Sequence, residues 1–315
     1  MRRERGFVLI SVLLAMALLA LVVTEFVFSM RLEASMARSY RDSILAEHLA
    51  EAGVQQAIRE ILGQAQIVAP DEGGQLVFYR ALPGQTQPRR LPTLPRSRVP
   101  LGRGEFSYRI TDESARLDIN ATPPLRLDRL LAALGVGRSE RDIINDSIQD
   151  WRDRDELRRL NGAESEDTYL RMPVPYRSRN GNIQDVAELR QIRGVSPALY
   201  AGTAERPGLG ELVTAIAGGG VNLNTAAAPV LAALGLADAE VSDVRSTRTR
   251  TPYLTLPARF AGRGLVVETA TFRIEAEGSV PGSPKSRVVA IVQRGGRAAG
   301  GAGVMVRLWR PVTDE

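Results

Sequence analysis

Seven carboxylates crowd residues 150–167: Asp150, Asp153, Asp155, Glu156, Glu164, Glu166 and Asp167. Hard oxygen donors at this density suit Ca2+, which takes ~6–8 of them. Ile143, Ile144 and Ile148 predict a helix closing at Asp150, with Asp153 and Asp155 directly after it. Residues Leu157–Gly162 then give enough chain to fold Glu164 and Asp167 back onto the same ion. The C-terminal end of a helix dipole makes negative charge unfavourable there, so something cationic should offset it. Arg152, Arg154, Arg158 and Arg159 lie in the same stretch and could do so as exposed pairs worth ~0–1 kcal/mol each. Charge alone leaves a bound ion and a solvated loop as equal alternatives. Asp150, Asp153, Asp155, Glu164 and Asp167 are the candidate metal ligands, in a structural role.

Other chemistries find little support. The 315 residues contain no Cys, which removes thiolate metal sites, disulfides and a Cys nucleophile. The single His, His48, lies among polar helix positions, so neither a Ser-His-Asp triad nor a zinc site can be assembled. The Gly-rich runs lack a following Gly-Lys-Ser/Thr, which argues against a phosphate loop. Asp112-Glu113 could pair for acid–base work, but no enzyme is expected. The net charge of +5 comes almost wholly from Arg, since Lys285 is the only Lys. The stretch Val186–Ser196, with Gly194 between apolar segments, is similar to a helix-hairpin-helix turn. Such turns bind nucleic-acid phosphate through backbone N–H groups. Asp185 and Glu188 are interleaved with its Arg residues, which favours a plain helical hairpin.

These groups must be positioned by the rest of the chain. No charge occurs from Gly6 through Thr24, and Arg2, Arg3 and Arg5 precede that run. Phe7–Val23 as a helix is roughly 26 Å long at ~1.5 Å per residue, close to a bilayer core. The preceding Arg residues favour a cytoplasmic N-terminus. Apolar residues then recur at three- and four-residue steps from Leu32 to Leu62, with no Pro in between, predicting one helix over 7–62. Gly63–Gly104 is a Pro-rich loop with a strand candidate at Leu76–Tyr79. Glu105–Asp112 alternates as a strand, and Arg116–Asn120 is a short second one. Short helices follow at Leu125–Leu134, Glu140–Trp151, Val186–Ile192 and Pro229–Leu234. After a polar Arg/Thr-rich connection, Val266–Gly278 and Arg287–Gln293 form a hairpin, with a last strand at Val304–Trp309.

Two stretches match each other. Leu117–Ala121 leads to Leu130–Gly135, and Val221–Ala226 leads to Val230–Gly235. Each has an Asn-bearing entry followed by an apolar helix that ends at Gly. They predict paired halves of one helical domain.

The junction Arg5-Gly6-Phe7-Val8-Leu9-Ile10 resembles the class III signal of type IV pilins and pseudopilins, where cleavage falls before the apolar helix. The resemblance makes Gly6 and Phe7 the processing site. The fifth residue after that junction is Ser11, where most of those proteins carry Glu. That departure is characteristic of the K-type minor pseudopilin of type II secretion. Further resemblance to the K-type family lies in Ile110–Asn120, in Asp150–Asp155 with Gly162-Ala163-Glu164, in Tyr176, Asn180, Glu188-Leu189 and Gly194-Val195, and in Val221–Ala226. Asp118 stands where that family commonly has Asn.

The resemblance implies an α+β fold: a long N-terminal transmembrane and amphipathic helix, and a pilin-like antiparallel sheet with a large inserted α-helical domain. It divides the chain into a leader (1–6), the helix (7–62, of which 7–30 is transmembrane and the remainder stalk), a pilin-like β region (63–117 and 265–315) and the inserted domain (118–264). It implies a minor pseudopilin at the pseudopilus tip, initiating assembly for protein secretion. The implied partners are the I- and J-type minor pseudopilins, other pseudopilins and prepilin peptidase. The implied location is the inner membrane, single-pass, with the C-terminal domain periplasmic. It also implies that the acidic loop binds Ca2+. Residues ~31–62 are expected to pack against other pseudopilins, because their apolar stripe has no other obvious cover. The alternatives are a type IV pilus minor pilin or a membrane-anchored DNA-binding protein.

Overall fold

The computed structural model describes residues 3–63, 67–71, 73–81, 87–216, 219–295 and 303–312, with side chains from Leu9 onward. The Gly6–Phe7 junction lies in helical backbone, and its side chains fall outside the described residues.

Helix α1 runs from Arg3 to Gly63. From Leu9 to Arg41 its side chains are all exposed, and its first part is long and apolar enough to cross a membrane. The second part is different. Ala46, Leu49, Ala50, Val54, Ala57 and Ile61 step along one face and are buried against the chain's own sheet. The expectation that this stripe lacks cover is therefore corrected: only its membrane-proximal portion, through Ile44, stays open. Small residues allow a close approach. A Cβ on Gly278 would lie 2.1 Å from the Ala46 carbonyl oxygen and 2.5 Å from the Ala50 nitrogen, so helix backbone rests directly on the strand.

Beyond α1 come β1 (Ile67–Pro70), β2 (Leu76–Arg80) and β3 (Arg89–Arg90), a small antiparallel sheet. Next are β4 (Val99–Leu101) and β5 (Gly104–Asp112). The insertion holds β6 (Leu117–Asp118), α2 (Pro124–Ala133), α3 (Arg138–Arg152), α4 (Pro197–Ala201), α5 (Leu209–Leu212), β7 (Val213–Thr214), β8 (Val221–Asn222), α6 (Ala228–Ala233), α7 (Asp238–Arg250) and β9 (Leu265–Val266). Strands β10 (Thr271–Ser279), β11 (Ser286–Arg294) and β12 (Val304–Val312) follow. The main sheet has the order β12-β11-β10-β5-β4. Its central neighbours β5 and β10 are antiparallel, with Phe272 opposite Asp112 and Ser279 opposite Glu105. Everything from 113 to 270 is thus inserted between two adjacent strands. The sheet alternates as read: Phe106, Tyr108, Ile110, Phe272, Ile274 and Ala276 face α1 in one core. A second core, with Leu130, Ile148, Trp151, Tyr169, Leu231 and Phe260, belongs to the insertion.

The internal repeat is structural. β6 pairs with β7 and β8 with β9, both parallel. α2 and α6 pack together, and each ends at a Gly with positive φ, Gly135 (77°) and Gly235 (84°). Asn120 bonds both backbone groups of Ile183, and Asn224 both of Tyr253. The connection read as polar contains α7, the counterpart of α3. Only Val241 and Val244 of that helix are buried, so its apolar period is too sparse to register. Val186–Gln191 is a 3₁₀ helix rather than α, started by Asp185, whose carboxylate accepts from the Ala187 N–H.

Candidate cation site and its surroundings

Ile144, Ile148 and Trp151 of α3 point into the insertion core, which fixes the helix face. Asp150 follows that face inward and is fully buried at the helix's C-terminal end. Its carboxylate accepts from the Arg159 backbone N–H (3.2 Å to Oδ2) and from Arg159 Nη1 (2.7 Å to Oδ1). The same Nη1 donates to Asp153 Oδ2. The return of the chain is tight: a Cβ on Gly162 would sit 1.9 Å from Asp150 Oδ2. Any side chain there would expel the loop.

Glu164 is 2% exposed. Its Oε2 accepts from the Ser178 hydroxyl at 3.2 Å, and its Oε1 is buried with no partner. Asp153 Oδ1 is likewise buried and unpartnered. Burial, followed by the negative charges of Asp150, Asp153 and Glu156, pushes the Glu164 carboxyl up to about 7. Burial also raises Asp150, against the opposing pull of Arg159. Asn180, at φ 49°, donates to Glu156 Oε1 at 3.0 Å and borders the same corner.

The five sequence candidates therefore separate. Asp150, Asp153 and Glu164 share one corner, joined by Glu156. Asp155 is exposed, its Oδ1 accepting from the Leu157 N–H. Asp167 accepts from the Glu164 N–H and pairs with Arg158 at 3.1 Å. Burial would raise the Asp167 carboxyl, but Thr168, the Glu164 N–H and Arg158 hold it low. Among the described residues, no three His, Asp or Glu side chains are already placed to hold a metal ion. The donor chemistry nevertheless fits a hard cation, since Glu164 Oε1 and Asp153 Oδ1 are buried oxygens without partners.

Aromatic groups hold the loop from beneath. Trp151 meets Tyr169 edge-on at 5.3 Å, and Tyr169 stacks on Tyr176 at 5.2 Å. Trp151 Nε1 donates to Glu188, which Arg179 also binds. Nothing in the spacing of these residues marks them as one group, because they meet only through the fold.

Asp112 and Glu113 are not an acid–base pair open to substrate. Both are buried where sheet and insertion meet. Asp112 Oδ2 accepts from Asn222 (2.7 Å) and Thr225 (2.6 Å). Glu113 accepts from Arg273 (2.9 and 3.0 Å), Arg116 (3.0 Å) and Thr214 (2.6 Å). At the hairpin turn, Gly194 packs onto Ile144, Arg190 lies over the Tyr200 ring, and Arg193 donates to the Gly162 carbonyl. Its basic groups are engaged within the chain.

Comparison with known proteins matches residues 110–205 to the family described as Type II secretion system (T2SS), protein K. That segment runs from β5 into the insertion and contains the whole acidic loop. The chain resembles type II secretion system protein K. The protein K of Pectobacterium carotovorum subsp. carotovorum is 31% identical over 219 residues, covering 63% of this chain and 60% of that protein. The protein K of Pseudomonas aeruginosa is 27% identical over 219 residues, 61% of this chain and 62% of that protein. The aligned part thus spans about three-fifths of these relatives. A crystal structure of the GspK-GspI-GspJ complex from the enterotoxigenic Escherichia coli type 2 secretion system aligns with a TM-score of 0.59 at 17% identity, covering 90% of this chain and 99% of that one. The likeness to that chain is one of fold. The expected α+β architecture, with its long apolar helix, antiparallel sheet and helical insertion, agrees with it.

Proposed function

We propose that the chain is a minor pseudopilin at the tip of a type II secretion pseudopilus, where it initiates assembly with I- and J-type minor pseudopilins. One observation carries the reading: the segment matching protein K, residues 110–205, runs from the end of β5 through the first part of the body inserted between β5 and β10, on a sheet packed against α1. The role is structural, without catalysis. Residues 7–30 anchor it once in the inner membrane, with the sheet and the body inserted between β5 and β10 in the periplasm. Prepilin peptidase cleaves Gly6–Phe7. Ser11 puts no charge near that terminus, where a carboxylate could pair with a neighbour's amine, so the subunit suits the end of a stack. The bulk of the insertion suits it too, since a further subunit above would clash.

The surface for neighbouring helices is the exposed stripe Leu32, Met36, Tyr40 and Ile44. Leu49 serves the chain's own core and is unsuitable as a probe. Co-expression with I- and J-type subunits should therefore yield a complex that Leu32→Asp with Met36→Asp disrupts, while thermal unfolding of the variant stays unchanged. N-terminal sequencing of the same membrane preparation should start at Phe7. An intact complex from the double variant, or a start at Met1, would overturn the reading.

The acidic corner takes Ca2+ through Asp150, Asp153 and Glu164, with Glu156 beside them. A bound divalent ion would supply charge neutralisation and cross-linking of the loop. Asp155 and Asp167 shape the loop through backbone N–H groups instead. Support comes from the orphaned Glu164 Oε1 in a fully buried setting.

A further inference from the structure

Arg159 occupies the position from which a cation would reach Asp150 and Asp153. Its guanidinium touches both carboxylates through one nitrogen, yet its side chain is 42% exposed, whereas that of Asp150 is 0%. Two kinds of contact hold the loop here. The Arg159 backbone N–H binds Asp150 independently of the side chain. The guanidinium adds positive charge from the solvent side, and those two carboxylates raise its proton affinity, Asp153 first. Glu164 Oε1 and Asp153 Oδ1 remain without partners.

We propose that Arg159 is a displaceable built-in cation: its guanidinium holds the loop when no metal is bound and swings into solvent when Ca2+ enters between Asp150, Asp153 and Glu164. The inference rests on the calcium reading above and adds the group that competes with the metal. Both cations need the same oxygens, Asp150 Oδ1 and Asp153 Oδ2. A half-exposed Arg loses little by returning to water. The backbone N–H keeps Asp150 partly satisfied during the exchange. Such an arrangement lets the chain fold and travel without metal and tighten where Ca2+ is plentiful. Arg158 is the natural control, because its partner is Asp167, outside the corner.

The test uses the full chain in detergent, carrying Trp309→Phe so that Trp151 is the remaining tryptophan. Tb3+ replaces Ca2+, and emission sensitised by Trp151 reports binding. Arg159→Gln should bind Tb3+ roughly tenfold more tightly than the parent, because the guanidinium that competes for Asp150 and Asp153 is gone. Arg158→Gln, with the same change in charge, should differ by less than about twofold. Glu164→Gln should abolish the signal. In chelator, Arg159→Gln should melt below the parent, and Ca2+ should restore it. Arg159→Lys, whose compact ammonium fits two carboxylates less well, should fall between. A structural Arg159 with no competing role would lower stability without tightening Tb3+. That result, with Glu164→Gln still silent, overturns the exchange and leaves the metal site standing. Absence of Tb3+ binding in the parent and in Arg159→Gln, or binding untouched by Glu164→Gln, overturns both.

Discussion

Replacing Glu113 by Ala should uncouple the sheet from the insertion. Its carboxylate is fully buried and accepts two bonds from Arg273, one from Arg116 and one from Thr214. The two Arg side chains are 17% and 18% exposed, so water cannot readily take over. Removing one partner of a buried ion pair costs about 3–5 kcal/mol, because the opposite charge is left unpaired. For a chain of this size that corresponds to a midpoint lower by roughly 10 °C. Glu113→Gln keeps the volume and one acceptor, and should cost about half as much. The acidic pH dependence follows from the same contacts. Burial opposes ionisation, but Arg273 and Arg116 more than offset it and hold the Glu113 carboxyl below the usual range. The unfolded chain therefore binds the extra proton. The stabilisation is present in full above about pH 5 and disappears as pH falls through the folded-state value. Thermal unfolding by near-ultraviolet circular dichroism, between pH 3 and 8, measures both effects. A Glu113→Ala midpoint within about 2 °C of the parent at pH 7 would refute the reasoning.

Two further outcomes follow from close packing and from the repeat. Gly278→Val should prevent α1 from seating on β10, since its Cβ would meet helix backbone at 2.1 Å. Rapid proteolytic release of residues beyond Gly63 would reveal this, and parental resistance would contradict it. Asn224→Ala should destabilise by about 2–4 kcal/mol, more than Asn120→Ala. Each makes one further bond, Asn224 to the Val267 carbonyl and Asn120 to the Ala215 carbonyl, but Asn224 is fully buried whereas Asn120 is partly exposed; denaturant midpoints compare the two, and a reversed order would refute the assignment.

Much of this molecule can be read locally. The uncharged run before Glu25, the three- and four-residue steps to Leu62 and the alternation of Glu105–Asp112 determine α1 and β5 without any partner, because period and length are properties of the chain itself. The same holds for the paired Asn-to-Gly stretches, whose matching residues predict two similar halves. The helix α7 escaped because only two of its residues are buried, although its place after Gly235 mirrors α3 after Gly135. Tertiary structure decided the rest. Which face of α1 is covered depends on Gly278 and Ala276, more than 200 residues away, so Leu49 reads as an open stripe and is core. The seven carboxylates of 150–167 look equivalent in sequence. Folding buries Asp150 and Glu164, leaves Asp155 in water and assigns Asp167 to Arg158. Charge and spacing are local quantities, but desolvation and partner geometry arise only when distant segments meet, and those two terms choose between ion pair, solvated loop and metal site.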